Sequence, residues 1–207
     1  MRMEQLSANT ALIIIDVQDG FDDPRFGRRN NPDAERKIAE LLAAWRSSQR
    51  PLFHVRHLSL TPGSVFEKRH PGSALKRIAA PIADEPVICK HVNSAFIGTT
   101  LEVDLRARHI TDLVVTGFTT DHCVSTSIRM AANLGFHVRC VRDATATFER
   151  TGISGRHYDA EEIHDVTLAS LRDEFAAITD TATILAALRN TEGQSHDAFP
   201  LPITRNA

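Results

Sequence analysis

Asp112-Leu113-Val114-Val115-Thr116-Gly117-Phe118-Thr119-Thr120-Asp121-His122-Cys123 runs from the end of a loop through a short buried strand into a sharp turn and then a helix. Gly117 supplies the turn. Thr119, Thr120 and Asp121 are N-cap residue types, and the spacing from Val124 to Leu134 predicts a helix. Cys123 therefore falls in a first helical turn, where the positive end of the helix dipole and unpaired backbone N–H groups favour a thiolate, the reactive form. A lone cysteine in an α/β chain is equally at home as a small buried hydrophobe, so position alone leaves both readings open.

Two further segments repeat the arrangement. Ala11-Leu12-Ile13-Ile14-Ile15-Asp16 is a continuous apolar run, typical of a central parallel strand, that ends on a carboxylate. Pro86-Val87-Ile88-Cys89-Lys90 delivers an ammonium in the same way. Each charge taken alone reads as a solvated strand end. Together, three strands carry an acid, an ammonium and a thiol to the rim where open α/β sheets bind ligands.

Apolar strands recur near 11–15, 51–55, 86–89, 112–116, 136–141 and 175–178, joined mostly by segments of helical period. The alternation predicts a three-layer, doubly wound α/β fold around a mostly parallel six-stranded sheet with right-handed crossovers. One helix is expected over 33–48, with Pro32 suited to its N1 position and Ile38, Leu41, Leu42 and Trp45 on one face. Others are expected over 100–107, from near Asp159, and from about Asp180 to Leu188. Residues 58–82 have no strong period and are long enough for a lid or subunit contact, and 145–158 has the glycines to close over a site. From about 189 the chain is a polar tail.

At 207 residues with 42% apolar content, the chain fits one domain spanning 1–207. A formal net charge of −2 with interspersed signs points away from nucleic acid and membrane partners and towards a small-molecule substrate. The amino terminus lacks a secretory apolar region and no stretch approaches the length of a membrane span, so the cytoplasm is the expected compartment. Cys89, Cys123 and Cys140 have no metal-site spacing; Cys89 and Cys140 fall within strand patterns and read as inert core residues.

The trio of Asp16 in "IIIDVQDGF", Lys90 in "CKHVNSAFIGTTLEVDLRARHITDLVVTG" and Cys123 in "GFTTDHCVSTSIRMAANLGF" resembles the isochorismatase-like cysteine hydrolases, over about 12–188. The resemblance implies Asp16 as base, Lys90 as positioning cation and Cys123 as nucleophile. It also implies a cis peptide at Phe118-Thr119, with the backbone N–H groups of Thr119 and Cys123 as the oxyanion hole. The chemistry would be attack of the Cys123 thiolate on a carbonyl, a thioester, and its hydrolysis, with Asp16 serving as base and then as acid. No cofactor and no histidine are needed.

His122 next to Cys123 suggests a dyad, but neighbours on a helix diverge by roughly 100°, which should turn it away. His164 reads as a helix-packing residue. Nicotinamidases among the relatives carry an Asp-x-His pair after the second strand; Arg56-His57-Leu58-Ser59 stands there instead, and His54 and His57 should face opposite sides of a strand, so no metal is expected. Gln18, Phe21, Arg56 and Phe118 are the candidate substrate-binding residues, with His57, Phe96, Arg25, Arg28 and Arg29 behind them. Basic residues near the thiol suggest an amide, ureido or carbamoyl substrate with an anionic or strongly polar substituent. Vinyl-ether hydrolysis of the isochorismatase type and acyl transfer are the enzymatic alternatives. A nucleotide-binding or interaction module is the alternative of another class, disfavoured by four acids in Asp16-Val17-Gln18-Asp19-Gly20-Phe21-Asp22-Asp23 and no G-x-G-x-x-G. A homo-oligomer, dimer or tetramer, is the expected assembly.

Overall fold

The computed structural model describes residues 6–196, with side chains through 190. Six strands, β1 (Ala11–Ile15), β2 (Leu52–His57), β3 (Val87–Lys90), β4 (Asp112–Phe118), β5 (His137–Ala146) and β8 (Ala177–Thr179), form one sheet in the order β3-β2-β1-β4-β5-β8. Every pairing in it is parallel. Two short strands, β6 (Arg150–Thr151) and β7 (His157–Tyr158), make an antiparallel ribbon inside the stretch read as a closing loop. The chain winds outward from β1 to β3 and then returns to β4 on the other side of β1. The crevice at the switch point therefore lies between the carboxyl ends of β1 and β4.

The alternation along the central strands divides the core into two halves. Leu12 and Ile14 of β1, with Val114 and Phe118 of β4, pack with α1 (Ala34–Ser47) and α5 (Thr181–His196). Ile13 and Ile15 of β1, with Leu113 and Val115 of β4, pack with α2 (Leu101–Ala107), α3 (Ser125–Asn133) and α4 (Ala160–Leu171). Strands buried on both faces require apolar residues at every position, which is why these two read as unbroken runs. The stripe Ile38, Leu41, Leu42 and Trp45 of α1 is buried, and Trp45 Nε1 donates to Thr10 O at 3.1 Å.

Several local expectations are corrected. Asp33, not Pro32, borders α1, whose first residue is Ala34, so Pro32 precedes the cap instead of occupying N1. Cys89 is exposed, because β3 is an edge strand whose Val87 and Cys89 face outward while Ile88 and Lys90 face inward. The tail assigned from 189 begins inside α5, which continues to His196; the rest of it lies outside the described residues. The long 58–82 loop carries two short 3-10 turns, Pro71–Ser73 and Arg77–Ala79. Among the described residues no helix is long and apolar enough to cross a membrane.

Candidate active site

Three strand ends meet at the crevice. Asp16, the residue after β1, takes φ 51°, a left-handed conformation that aspartate tolerates better than most residues, and its backbone N–H donates to Val55 O at 2.9 Å. This turns the carboxylate off the strand into a wholly buried position. Lys90 closes β3 on its inward face and is also wholly buried. Between β4 and α3 the chain turns through Gly117, at φ 118°, where an added Cβ would stand 2.0 Å from Ile15 O, so no other residue fits. The Phe118-Thr119 peptide is cis, and a single π-turn, Thr120–Val124, carries Cys123 to the site. The helix proper begins only at Ser125, because the chain enters through a widened turn and not a side-chain N-cap.

Lys90 Nζ stands at the centre of the group. It lies 2.6 Å from Asp16 Oδ2, 3.2 Å from Cys123 Sγ, 3.2 Å from His57 Nδ1 and 3.1 Å from Val92 O. The Cys123 thiol also faces Asn93 Oδ1 at 3.8 Å. Burial pushes the Asp16 carboxyl above the ordinary carboxylate range, against the pull of Lys90, which makes it a stronger base than a surface aspartate. Burial, and then the neighbouring Asp16 charge, also push the Cys123 thiol well up. Desolvation thus works against the thiolate that the helix-terminus argument favours. Proton transfer from sulfur to Asp16 would move the negative charge from one contact of Lys90 to another, without separating new charge in the dry interior.

The pocket over this group has a volume of about 170 Å³. Phe21, Phe26, Phe66 and Phe148 form one wall, with ring centroids 4.7 Å apart for Phe21 and Phe66 and 5.2 Å for Phe26 and Phe148. Asp16, His57, Asn93, Thr119, His122, Cys123 and Arg150 complete it. Arg150 donates Nε to Asp121 Oδ2 at 2.7 Å, and its terminal nitrogens have no partner among the described residues. Burial works against the Asp121 charge, but bonds from Arg150 and Thr147 hold its carboxyl below the usual range.

Among the residues singled out from sequence, Asp16, Lys90 and Cys123 converge, and Thr119 and Phe21 line the pocket. Three others have different tasks. Gln18 is wholly buried; its amide accepts from His57 N at 2.8 Å and donates to His57 O and Ser73 O, which clamps β2 to the 71–73 turn. Phe118 is core, edge-on to Phe21 and beneath the Arg29 guanidinium. Arg56 turns away from the pocket and donates to Ser73 O at 2.7 Å and Ser73 Oγ at 2.9 Å, because residues alternate along β2 and His57 holds the inward position. Arg25 pairs with Asp23 and Arg29 with Glu35, and Phe96 stacks on Phe136. His122 does line the pocket, contrary to the divergence argument, because the wide π-turn leaves it exposed at the rim. His164 packs against Thr120 Oγ1 at 2.9 Å.

Phe66, Phe148 and Arg150 were not anticipated. Phe66 lies in the 58–82 loop, and Phe148 and Arg150 lie in the 145–158 stretch that carries the β6–β7 ribbon, so their direction is set by tertiary packing. Asp16, His57 and Cys123 hold one ligand atom each within 4.8 Å of one another, a donor set compatible with a cation. The position among them is taken by Lys90 Nζ, already in contact with all three. His54 faces the other way, onto Glu85 at 3.0 Å.

A profile described as the isochorismatase domain matches residues 10–183. The chain is 46% identical over 175 residues to the uncharacterized isochorismatase family protein YrdC of Bacillus subtilis, covering 84% of this chain and 94% of that one. A putative hydrolase of the isochorismatase family from Chromobacterium violaceum superimposes with a TM-score of 0.88 at 44% identity, covering 90% of this chain and 97% of that one. Nicotinamidase 3 of Arabidopsis thaliana is 26% identical over 180-odd positions, 183 in all, covering 82% of this chain and 84% of that one.

Proposed function

The chain belongs to the isochorismatase family of hydrolases, and we propose that it is a cysteine-dependent amidohydrolase that cleaves the C–N bond of a small amide, ureido or carbamoyl compound through a thioester. The observation that carries this reading is the single ammonium, Lys90 Nζ, in contact with both the Asp16 carboxylate and the Cys123 sulfur at the floor of a pocket. A vinyl-ether hydrolase needs no thiol at that point, whereas an acyl transfer to sulfur needs a thiol, a base and a cation to hold them together. A relative named for an amide, Nicotinamidase 3, supports the same bond class.

In this reading Asp16 accepts the thiol proton and the thiolate attacks the substrate carbonyl. The oxyanion is held by the backbone N–H groups of Thr119 and Cys123, and the proton on Asp16 passes to the leaving nitrogen. Asp16, deprotonated again, takes a proton from the water that attacks the thioester, and that proton returns to the Cys123 sulfur as the acid leaves. The four-phenylalanine wall supports a small, flat, largely apolar acyl portion, with Arg150, among the described residues that line the pocket, the guanidinium able to meet a polar substituent at the rim.

Intact-mass measurement during turnover of a panel of small amides tests the reading. The wild type should accumulate an acyl adduct on Cys123, and Cys123→Ala should fold normally without turning over. Near-normal hydrolysis by the alanine variant would remove the nucleophile and the mechanism with it.

A further inference from the structure

His57 lies between the pocket and the catalytic ammonium. It is the last residue of β2 and the direct cross-strand partner of Lys90 on β3. Its backbone is gripped in both directions by the buried Gln18 amide, and its ring stands edge-on to Phe66 with centroids 6.1 Å apart. The imidazole is thus fixed from three sides, with Nδ1 3.2 Å from Lys90 Nζ.

An ammonium has only donors, so a hydrogen bond from it to Nδ1 requires that nitrogen bare, with the ring proton on Nε2. Burial, and then the Lys90 charge, hold the His57 pKa down to about 4, so the ring is neutral at neutral pH. The other groups facing it are the Asp16 carboxylate, the Cys123 thiol and the Val92 backbone, whose hydrogen bond pulls the value back up, with a weaker repulsion from His91. Lys90 Nζ is thereby enclosed by four neighbours, Asp16, His57, Cys123 and Val92 O.

We propose that His57 is a positioning residue whose Nδ1 accepts a hydrogen from Lys90 Nζ and so seats the ammonium between Asp16 and Cys123. The proposal rests on the reading of Cys123 as nucleophile. An ammonium released from His57 keeps its short contact with Asp16 and its carbonyl partner. The contact to sulfur, at 3.2 Å as close as the one to His57 but made to a weaker acceptor than a carboxylate or a carbonyl, is the one that lengthens, and the thiolate loses its counter-charge.

The test is alkylation of Cys123 by iodoacetamide across pH, followed by the mass of the Cys123 peptide. It needs no substrate, so a wrong substrate class leaves it interpretable. His57→Leu fills the space without an acceptor, His57→Asn keeps an oxygen at the branch position of Nδ1, and His57→Gln carries its acceptor one carbon too far. A thiol pKa raised by about one unit leaves about tenfold less thiolate, so the leucine and glutamine variants should alkylate about tenfold more slowly and the asparagine variant within about threefold of wild type. Wild-type rates in the leucine and glutamine variants overturn the proposal. An asparagine variant as slow as leucine also overturns it, because the effect is then one of packing. If the leucine variant does not fold, the contrast between asparagine and glutamine makes the same decision.

Discussion

Lys90 Nζ lies 2.6 Å from Asp16 Oδ2, and neither side chain is open to solvent. A pair this deeply buried stabilises a fold little, because the cost of taking two charges out of water offsets most of their attraction. Its value here is in the third contact, the Cys123 sulfur at 3.2 Å, which shares the same cation.

The first prediction follows from that balance. Asp16→Asn strands a buried ammonium and should destabilise the protein by about 3 kcal/mol, whereas Asp16→Asn combined with Lys90→Met should recover most of the loss. Both should lose at least about 10²-fold in activity. Urea denaturation beside a hydrolysis assay decides it; a double variant no more stable than the single one means that the pair is not the source of the cost.

Chelation should leave the rate unchanged. The donor atoms of Asp16, His57 and Cys123 already surround the Lys90 ammonium, and a metal would have to displace it. Activity that disappears on exhaustive dialysis against a chelator and returns with zinc would contradict this.

Specificity should follow Arg150 and not Arg56. Arg56 is occupied with Ser73, so Arg56→Ala should change KM alike for neutral and acidic amides. Arg150 lines the pocket, and Arg150→Ala should raise KM about tenfold for acidic amides alone, the loss of roughly one charge-assisted bond. Selectivity unmoved by Arg150→Ala would leave the aromatic wall as the sole determinant.

Acid should unfold the protein through two glutamates remote from the chemistry. Burial opposes the charge on Glu85, but Arg46, the Ile82 N–H and His54 hold its pKa down to about 2; Arg29 and Lys76 do the same for Glu35, also about 2. Because the folded values lie below the ordinary 4.5, this stability is present above about pH 4.5 and is lost as pH falls towards 2. Asp16 has the opposite sign, its raised value favouring the protonated folded state at low pH. Glu35→Gln with Glu85→Gln should flatten the fall in melting temperature between pH 4.5 and 2. An unchanged slope would assign acid unfolding to other carboxylates.

The strands and most helices were legible because their signals are local. A strand buried on both faces must be apolar throughout, as Ala11–Ile15 is, and an amphipathic helix repeats its stripe, as Ile38 to Trp45 do. The same local reasoning failed where neighbours decide. Cys89 looks like core until β3 proves to be an edge strand, and Arg56 looks like a ligand until alternation hands the inward position to His57.

By itself the sequence determined that an acid and an ammonium each end an apolar strand, and that a thiol follows a third strand through a turn at Gly117. Only the tertiary structure decided that Lys90 Nζ touches both of the others, that His57 meets it from the adjacent strand, and that Phe66 and Phe148 from loops far apart in the chain close one wall. Strand order is the physical reason. Periodicity specifies which face of a segment is buried, but the order β3-β2-β1-β4 is set by packing between residues distant in the chain, and that order brings the three strand ends to one crevice.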